Sequence, residues 1–141
     1  IDRYFEAYPG VRAYLYATVE QARERGYAET MFGRKRHIPE LHAGNANLRG
    51  FGERTAMNHP MQGSAADIIK LAMIEVSRRL REEGFAAKLL IQVHDELDFS
   101  VPRSEVEALS AMVREVMEGV VELKVPLIAD VSNAPTWAEA H

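Results

Sequence analysis

The hydrophobic period of this chain changes twice within about fifty residues, which leaves few folds open. Ala65, Ile68, Ile69, Ala72, Met73, Val76 and Leu80 recur at helical spacing, with Lys70, Arg78 and Arg81 off the stripe. Over residues 88–93 and 97–101 the period drops to two. Leu97, Phe99 and Val101 share one face of a strand, Asp98 and Ser100 the other. Helical spacing returns through Val106, Leu109, Met112 or Val113, Val116 and Met117, behind a capping box made by Ser104 and Glu107. The reading is a β-hairpin between two amphipathic helices, with His94-Asp95-Glu96 at or beside its bend. Leu127 to Val131, preceded by Pro126, reads as a further strand. Helices, a hairpin, a helix and a strand in that order are an α+β pattern rather than a doubly wound one.

Upstream, Pro9 suits a first helical turn, and Val11, Tyr14, Leu15, Thr18, Val19 and Ala22 predict a helix over 9–25 ended by Gly26. Tyr27 to Phe32 reads as a short strand, and Gly33 to His37 as a basic loop. Gly44, Asn45 and Asn47 mark an exposed loop. A short helix is expected over 48–58, stopping before Pro60. No internal repeat or low-complexity tract interrupts the pattern.

Composition narrows the function classes. With 141 residues, 47% hydrophobic and 27% charged, the chain has the makeup of one folded domain. No apolar run is long enough to span a membrane, and Asp2, Arg3, Glu6 and Arg12 break any secretory signal. The absence of cysteine excludes disulfides and thiolate chemistry. Residues 21–54 carry seven Lys/Arg against four Asp/Glu, whereas residues 55–141 carry eight against fourteen. A mildly basic half beside an acidic one suits an anionic ligand held near a carboxylate metal site, although charged surfaces also divide unevenly without function.

Three places carry candidate chemistry. Asp95, at a strand bend, has its carboxylate fixed by backbone on both sides, as magnesium or manganese coordination requires. Glu96 is a second ligand or a group that supports the first. His94 suits a hydrogen bond to phosphate or sugar better than an oxygen-ligated metal. The plainer alternative is that turns are solvated and tolerate acidic residues. The second place is Arg54, Asn58 and Gln62, which repeat every fourth residue. On a continuous helix they would line one face, able to meet phosphate, sugar and minor-groove acceptors, but Pro60 makes continuity doubtful. The alternative there is an ordinary polar face. Arg34-Lys35-Arg36 is the third, a basic cluster weakly indicating phosphate contact. Asp67 and Asp130 are possible partners for Asp95, without spacing that brings them to it.

With these residues in view, LIQVHDELDFSV at 90–101 resembles the third conserved motif of the family A DNA polymerases, the bacterial DNA polymerase I type. The likeness extends to ERTAMNHPMQGSAADIIKLAM at 53–73 and GYAETMFGRKRHIP at 26–39, and to both ends, IDRYFEAYPGVRAY and VPLIADVSNAPTWAEAH. It covers essentially the whole chain. The resemblance implies the C-terminal part of a polymerase domain, with residues 1–84 as the end of the fingers and the return to the palm, and 85–141 as a palm segment. It implies that Asp95 is one of two metal-binding aspartates of a two-metal magnesium site, with Glu96 beside it. His94, Arg54, Asn58 and Gln62 would approach the primer terminus and the minor groove of primer–template DNA, and Arg34 and Arg36 would lie near the DNA. The activity implied is template-directed DNA synthesis from deoxynucleoside triphosphates in the bacterial cytoplasm, in association with the nucleoid.

Two departures bear on that expectation. The family's first catalytic aspartate and its nucleotide-holding helix lie upstream of anything in this sequence. The chain alone is therefore expected to be inactive until the N-terminal part of the polymerase domain joins it. Asp98 stands where the family has an apolar residue, so it is either exposed or adds charge to the site. A rival from another class is a non-catalytic DNA-binding or structural module using Arg34, Arg36, Arg54, Asn58 and Gln62. A metal hydrolase complete in itself would need a carboxylate such as Asp130 beside Asp95.

Overall fold

Helix α1, Asp2–Ala7, leads into α2, Pro9–Arg25, in a computed structural model that describes residues 2–140. The chain divides after Ala65 into two units, each with its own core. Pro9 sits at the start of α2, where its missing N–H costs nothing. Gly26 closes the helix with φ +79°, donating its N–H to the Ala22 carbonyl at 2.8 Å. Only the second half of the predicted stripe is used. Val19 and Ala22 are buried, whereas Val11 and Tyr14 stay exposed.

Strands β1, Tyr27–Glu29, and β2, Lys35–His37, form an antiparallel hairpin with Ala28 opposite Arg36. The basic segment expected as a loop is thus largely a strand. Its every residue is exposed, so no alternation marks it. Thr30 folds the turn, because its Oγ1 accepts the backbone N–H groups of Phe32 at 3.3 Å and Arg34 at 3.2 Å. A 3₁₀ turn over Pro39–His42 then buries Leu41. Helix α3, Ala46–Asn58, starts two residues before the expected position because Asn45 caps it, accepting from the N–H groups of Asn47 and Leu48. Val19, Ala22, Ala28, Ile38, Leu41 and Ala56 make the core of this unit, and Arg23 pairs with Glu53 at 2.8 Å across α2 and α3.

Pro60 does not stop the helix. Residues His59–Gly63 form a π-helical turn that runs directly into α4, Ser64–Glu82. The wider turn tolerates a residue without an N–H, and the carbonyls it displaces find side-chain donors. Ser64 Oγ donates to the Pro60 carbonyl, and Arg34 Nη2 donates to the Gly63 carbonyl at 3.0 Å.

In the second unit, Ala72, Val76 and Leu80 of α4 pack with Ala87, Leu109, Met112, Val113 and Val116. Strands β3, Lys88–Val93, and β4, Glu96–Ser100, form the expected antiparallel hairpin, which lays Leu89 and Phe99 on this core. The register shifts between Leu89 and Ile91, leaving Leu90 as the extra residue of a bulge. Helix α5, Val106–Gly119, carries the predicted buried stripe, and Glu115 on it pairs with Arg79 of α4 at 3.2 Å.

The capping box does not form. A 3₁₀ turn over Arg103–Glu105 precedes the helix, and no side chain caps it. Glu105 instead accepts the backbone N–H groups of Ala86 at 3.0 Å and Ala87 at 3.0 Å, tying this turn to the start of β3. Residues 127–131 form no strand among the described residues, because no ladder partner lies beside them. They are held by α5 side chains: the Ala129 N–H donates to Glu118 Oε1 at 3.0 Å, and Arg114 Nε donates to the Ala129 carbonyl at 3.4 Å. A short α6, Trp137–Ala140, ends the described chain. The whole is an α+β arrangement of helices and two antiparallel hairpins.

Candidate nucleic-acid interface and metal-ligating turn

The first unit carries an open cavity of about 640 Å³ whose wall includes Arg34, Arg36, Arg54, Asn58 and Gln62. All five residues singled out in this unit therefore meet in one place. Arg54 and Asn58 come from the second half of α3, Gln62 from the π turn, and the arginines from the β1–β2 hairpin. Arg54, Asn58 and Gln62 are exposed, so their donors face solvent. With Lys35 the lining holds four cations and no carboxylate. Such a wall attracts phosphate, while the two amides can donate to or accept from a base edge.

Arg34 does a second job. Its bond to the Gly63 carbonyl braces the floor of the cavity, and the Arg34 carbonyl itself faces Nε2 of the buried His59 at 3.5 Å. Lys35 Nζ stands 4.6 Å from the centre of the Tyr27 ring, a cation–π contact that orients it. Gly63 has no room for a side chain, since a Cβ there would lie 2.7 Å from Thr30 Cγ2. Phe51, Thr55, His59 and Gly63 complete the wall and were not legible as site residues. Their signal was the helical phase of Arg54 and Asn58, which the doubt over Pro60 obscured.

In the second unit, Val93 pairs with Glu96, so His94 and Asp95 form a two-residue turn. His94 has φ +53°, the one positive φ outside glycine among the described residues. Positive φ at the first and not the second central residue is the φ pattern of a type II′ turn, which glycine normally supplies. Histidine there costs on the order of 1–2 kcal/mol. The Gln92 side-chain amide donates to the His94 carbonyl and helps hold that conformation. His94, Asp95 and Glu96 are all exposed on this turn. The Asp95 carboxylate has no hydrogen-bond or ion-pair partner among the described residues, so its oxygens are open to a hard cation.

The donor chemistry at the turn fits magnesium, but the donor number does not complete a site. Among the described residues no three His, Asp or Glu side chains come together where a metal ion could sit. Asp67 and Asp130 therefore do not join Asp95 in such a group. Asp98 follows neither alternative simply: it is half-buried, and its Oδ2 is shut off from solvent without a hydrogen-bond partner among the described residues. No described helix is long and apolar enough to cross a membrane.

Comparison with known proteins gives this geometry a family. The model of DNA polymerase family A matches residues 1–139. DNA polymerase I of Geobacillus stearothermophilus is 52% identical over 140 residues, that of Bacillus subtilis 51% and that of Streptococcus pneumoniae 49%. Each alignment covers 99% of this chain and 16% of the relative, so the chain spans about a sixth of the length of these proteins. A solved structure, the POL domain of Pol1 from M. smegmatis in complex with DNA primer-template and dNTP, superposes with a TM-score of 0.95 at 45% identity. It covers 99% of this chain and 24% of that one. The chain belongs to DNA polymerase family A.

Proposed function

We propose that these residues form the C-terminal part of a DNA-directed DNA polymerase, which extends a primer along a template from deoxynucleoside triphosphates. The observation that carries this is the convergence of Arg36, Arg54, Asn58 and Gln62 on one cation-lined cavity in a chain of this family. In this reading residues 1–84 end the fingers and return to the palm, and 85–141 are a palm segment. The same likeness supports primer–template DNA as partner, and the nucleoid-containing cytoplasm of a bacterium as the place of work.

Each group then has a task. Arg36 neutralises backbone phosphate, while Arg34 braces the cavity as well as adding charge. Arg54, Asn58 and Gln62 read the minor-groove acceptors that all base pairs share, which suits binding without sequence preference. His94 holds the primer end through a phosphate or sugar oxygen. Asp95 would hold a magnesium ion, with Glu96 beside it. A pair of such ions would supply Lewis-acid activation of the primer hydroxyl and neutralise charge on the leaving pyrophosphate. A two-ion site needs more carboxylate than Asp95 and Glu96 provide, so the 141 residues alone do not catalyse.

Primer extension with magnesium tests this reading. Incorporation is expected from the full natural chain that carries these residues, lost in Asp95→Ala, and absent from residues 1–141 alone. Duplex binding that weakens steeply with salt, with no extension under any arrangement, would favour a non-catalytic DNA-binding module instead. Extension by the 141 residues, abolished by Asp95→Ala, would overturn the claim of incompleteness.

A further inference from the structure

On an ordinary α-helix Arg54, Asn58 and Gln62 would share one face but fan across it rather than stand in line. An α-helix advances ~100° per residue, so each four-residue step overshoots a full turn by ~40°. From Arg54 to Asn58 the step is α-helical, and Asn58 is rotated by that amount. A second α-helical step would carry Gln62 to ~80° from Arg54, toward the edge of that face. Yet Gln62 lines the same cavity as the other two.

The difference lies in the four residue-to-residue steps from Asn58 to Gln62, which lead into and through the π turn His59–Gly63. A turn closed by i→i+5 bonds advances about 80° per residue, so four residues stop ~40° short of a full turn. That shortfall cancels the preceding overshoot and returns Gln62 to the direction of Arg54. Pro60 sits at the start of the turn. It offers no N–H to the α-helical ladder, and its ring would strike a carbonyl of the preceding turn, so the wider winding is preferred there.

The surroundings are built for this winding. Ser64 Oγ takes the Pro60 carbonyl and itself accepts the Met31 N–H at 2.9 Å. Arg34 takes the Gly63 carbonyl. Gly63 packs against Thr30 and His59 too closely for any side chain.

We infer that Pro60 is a positioning residue: the π turn it enforces sets the phase that puts Gln62 on the DNA-facing wall with Arg54 and Asn58. This rests on the reading of the cavity as a DNA-contacting surface, and the two can fail separately. The test uses the full natural chain, a fluorescently labelled primer–template duplex, and the crystal structure of Pro60→Ala. In Pro60→Ala, residues 59–63 are expected to close into α-helix and the Gln62 side chain to leave the cavity. Duplex affinity should fall about tenfold, as it does in Gln62→Ala. The double variant should bind no worse than Gln62→Ala alone, whereas Pro60→Ala and Arg54→Ala should multiply.

A π turn that persists in Pro60→Ala with Gln62 still in the cavity would overturn the inference. So would effects of Pro60→Ala and Gln62→Ala that multiply. Unchanged affinity in Gln62→Ala would instead defeat the DNA-contacting reading, and the position of Gln62 in the Pro60→Ala structure would still decide the role of the proline. Pro60→Ser repeats the comparison should the alanine variant not yield folded protein.

Discussion

Two glycines leave no room for a side chain, and one histidine holds a backbone conformation that glycine adopts more easily. A Cβ on Gly52 would lie 2.8 Å from the Leu41 backbone nitrogen, and backbone cannot swing aside. Gly52→Ala should therefore destabilise the first unit by about 1–3 kcal/mol, read as a lower urea midpoint. Gly63→Ala meets the Thr30 methyl and His59 ring, so it should cost a similar amount and also weaken duplex binding by shifting the π turn. His94 is a different case. Its left-handed backbone is a local cost, and His94→Gly removes that cost while deleting the imidazole. The variant should match or slightly exceed the parent in thermal stability and, under the proposed function, slow primer extension when placed in the full natural chain. A clear loss of stability would show that the imidazole, not the backbone, holds the turn. At this scale Asp95 and Arg54 could be singled out as candidates from residue type and spacing. The demands on Gly52 and Gly63 could not, because the atom that crowds each most closely belongs to a residue 11 or 33 positions away.

Elements reveal where periodicity informs and where it misleads. The stripes of α4 and α5 were legible because each helix buries one face on a single core. Leu109 is buried in that core, and Leu109→Ala should cost about 2–5 kcal/mol in denaturant unfolding. The strand expected at 127–131 had the composition of a strand but no neighbour to bond, and a strand is a relation between two segments. Conversely β2 was hidden, because a fully exposed charged strand has no apolar alternation to display.

The outer face of α4 carries Arg78 between Glu75 and Glu82, with Arg79 paired to Glu83 and Glu115. The hydrogen bond from Arg78 holds the Glu75 carboxyl below its ordinary value of 4.5, aided by the charges of Arg78 and Arg79. A lowered folded value means that its stabilisation is fully present above pH 4.5 and is lost as pH falls through the lower folded value. Urea melts at pH 6 and pH 3 should therefore differ more in the parent than in Arg78→Met. High salt should narrow that gap, since the groups are exposed.

Across the whole molecule, apolar surface lies bare in both units: Tyr4, Tyr8, Tyr14 and Tyr16 in the first, Leu90, Ile91 and Ile128 in the second. An open strand edge flanked by exposed Leu90 and Ile91 invites pairing with another chain. The isolated 141 residues should accordingly self-associate in sedimentation, and Leu90→Lys should shift them toward monomer. A clean monomer with a single cooperative melt would argue against this. Duplex binding should report the cationic cavity through its salt dependence. Arg36→Ala should reduce the slope of log K against log salt by about 0.9 if it meets one phosphate.

The sequence by itself determined the class of fold, the acidic turn and the polar residues that line the cavity. Short-range chemistry decides these: a change of hydrophobic period, a carboxylate at a bend, and amides repeated every fourth residue. Only the tertiary structure decided that the helix passes through Pro60 as a π turn, that Arg34 braces the wall it lines, and that residues 127–131 rest on helix side chains. Each depends on which distant group satisfies a backbone carbonyl or N–H, and spacing along the chain does not record that.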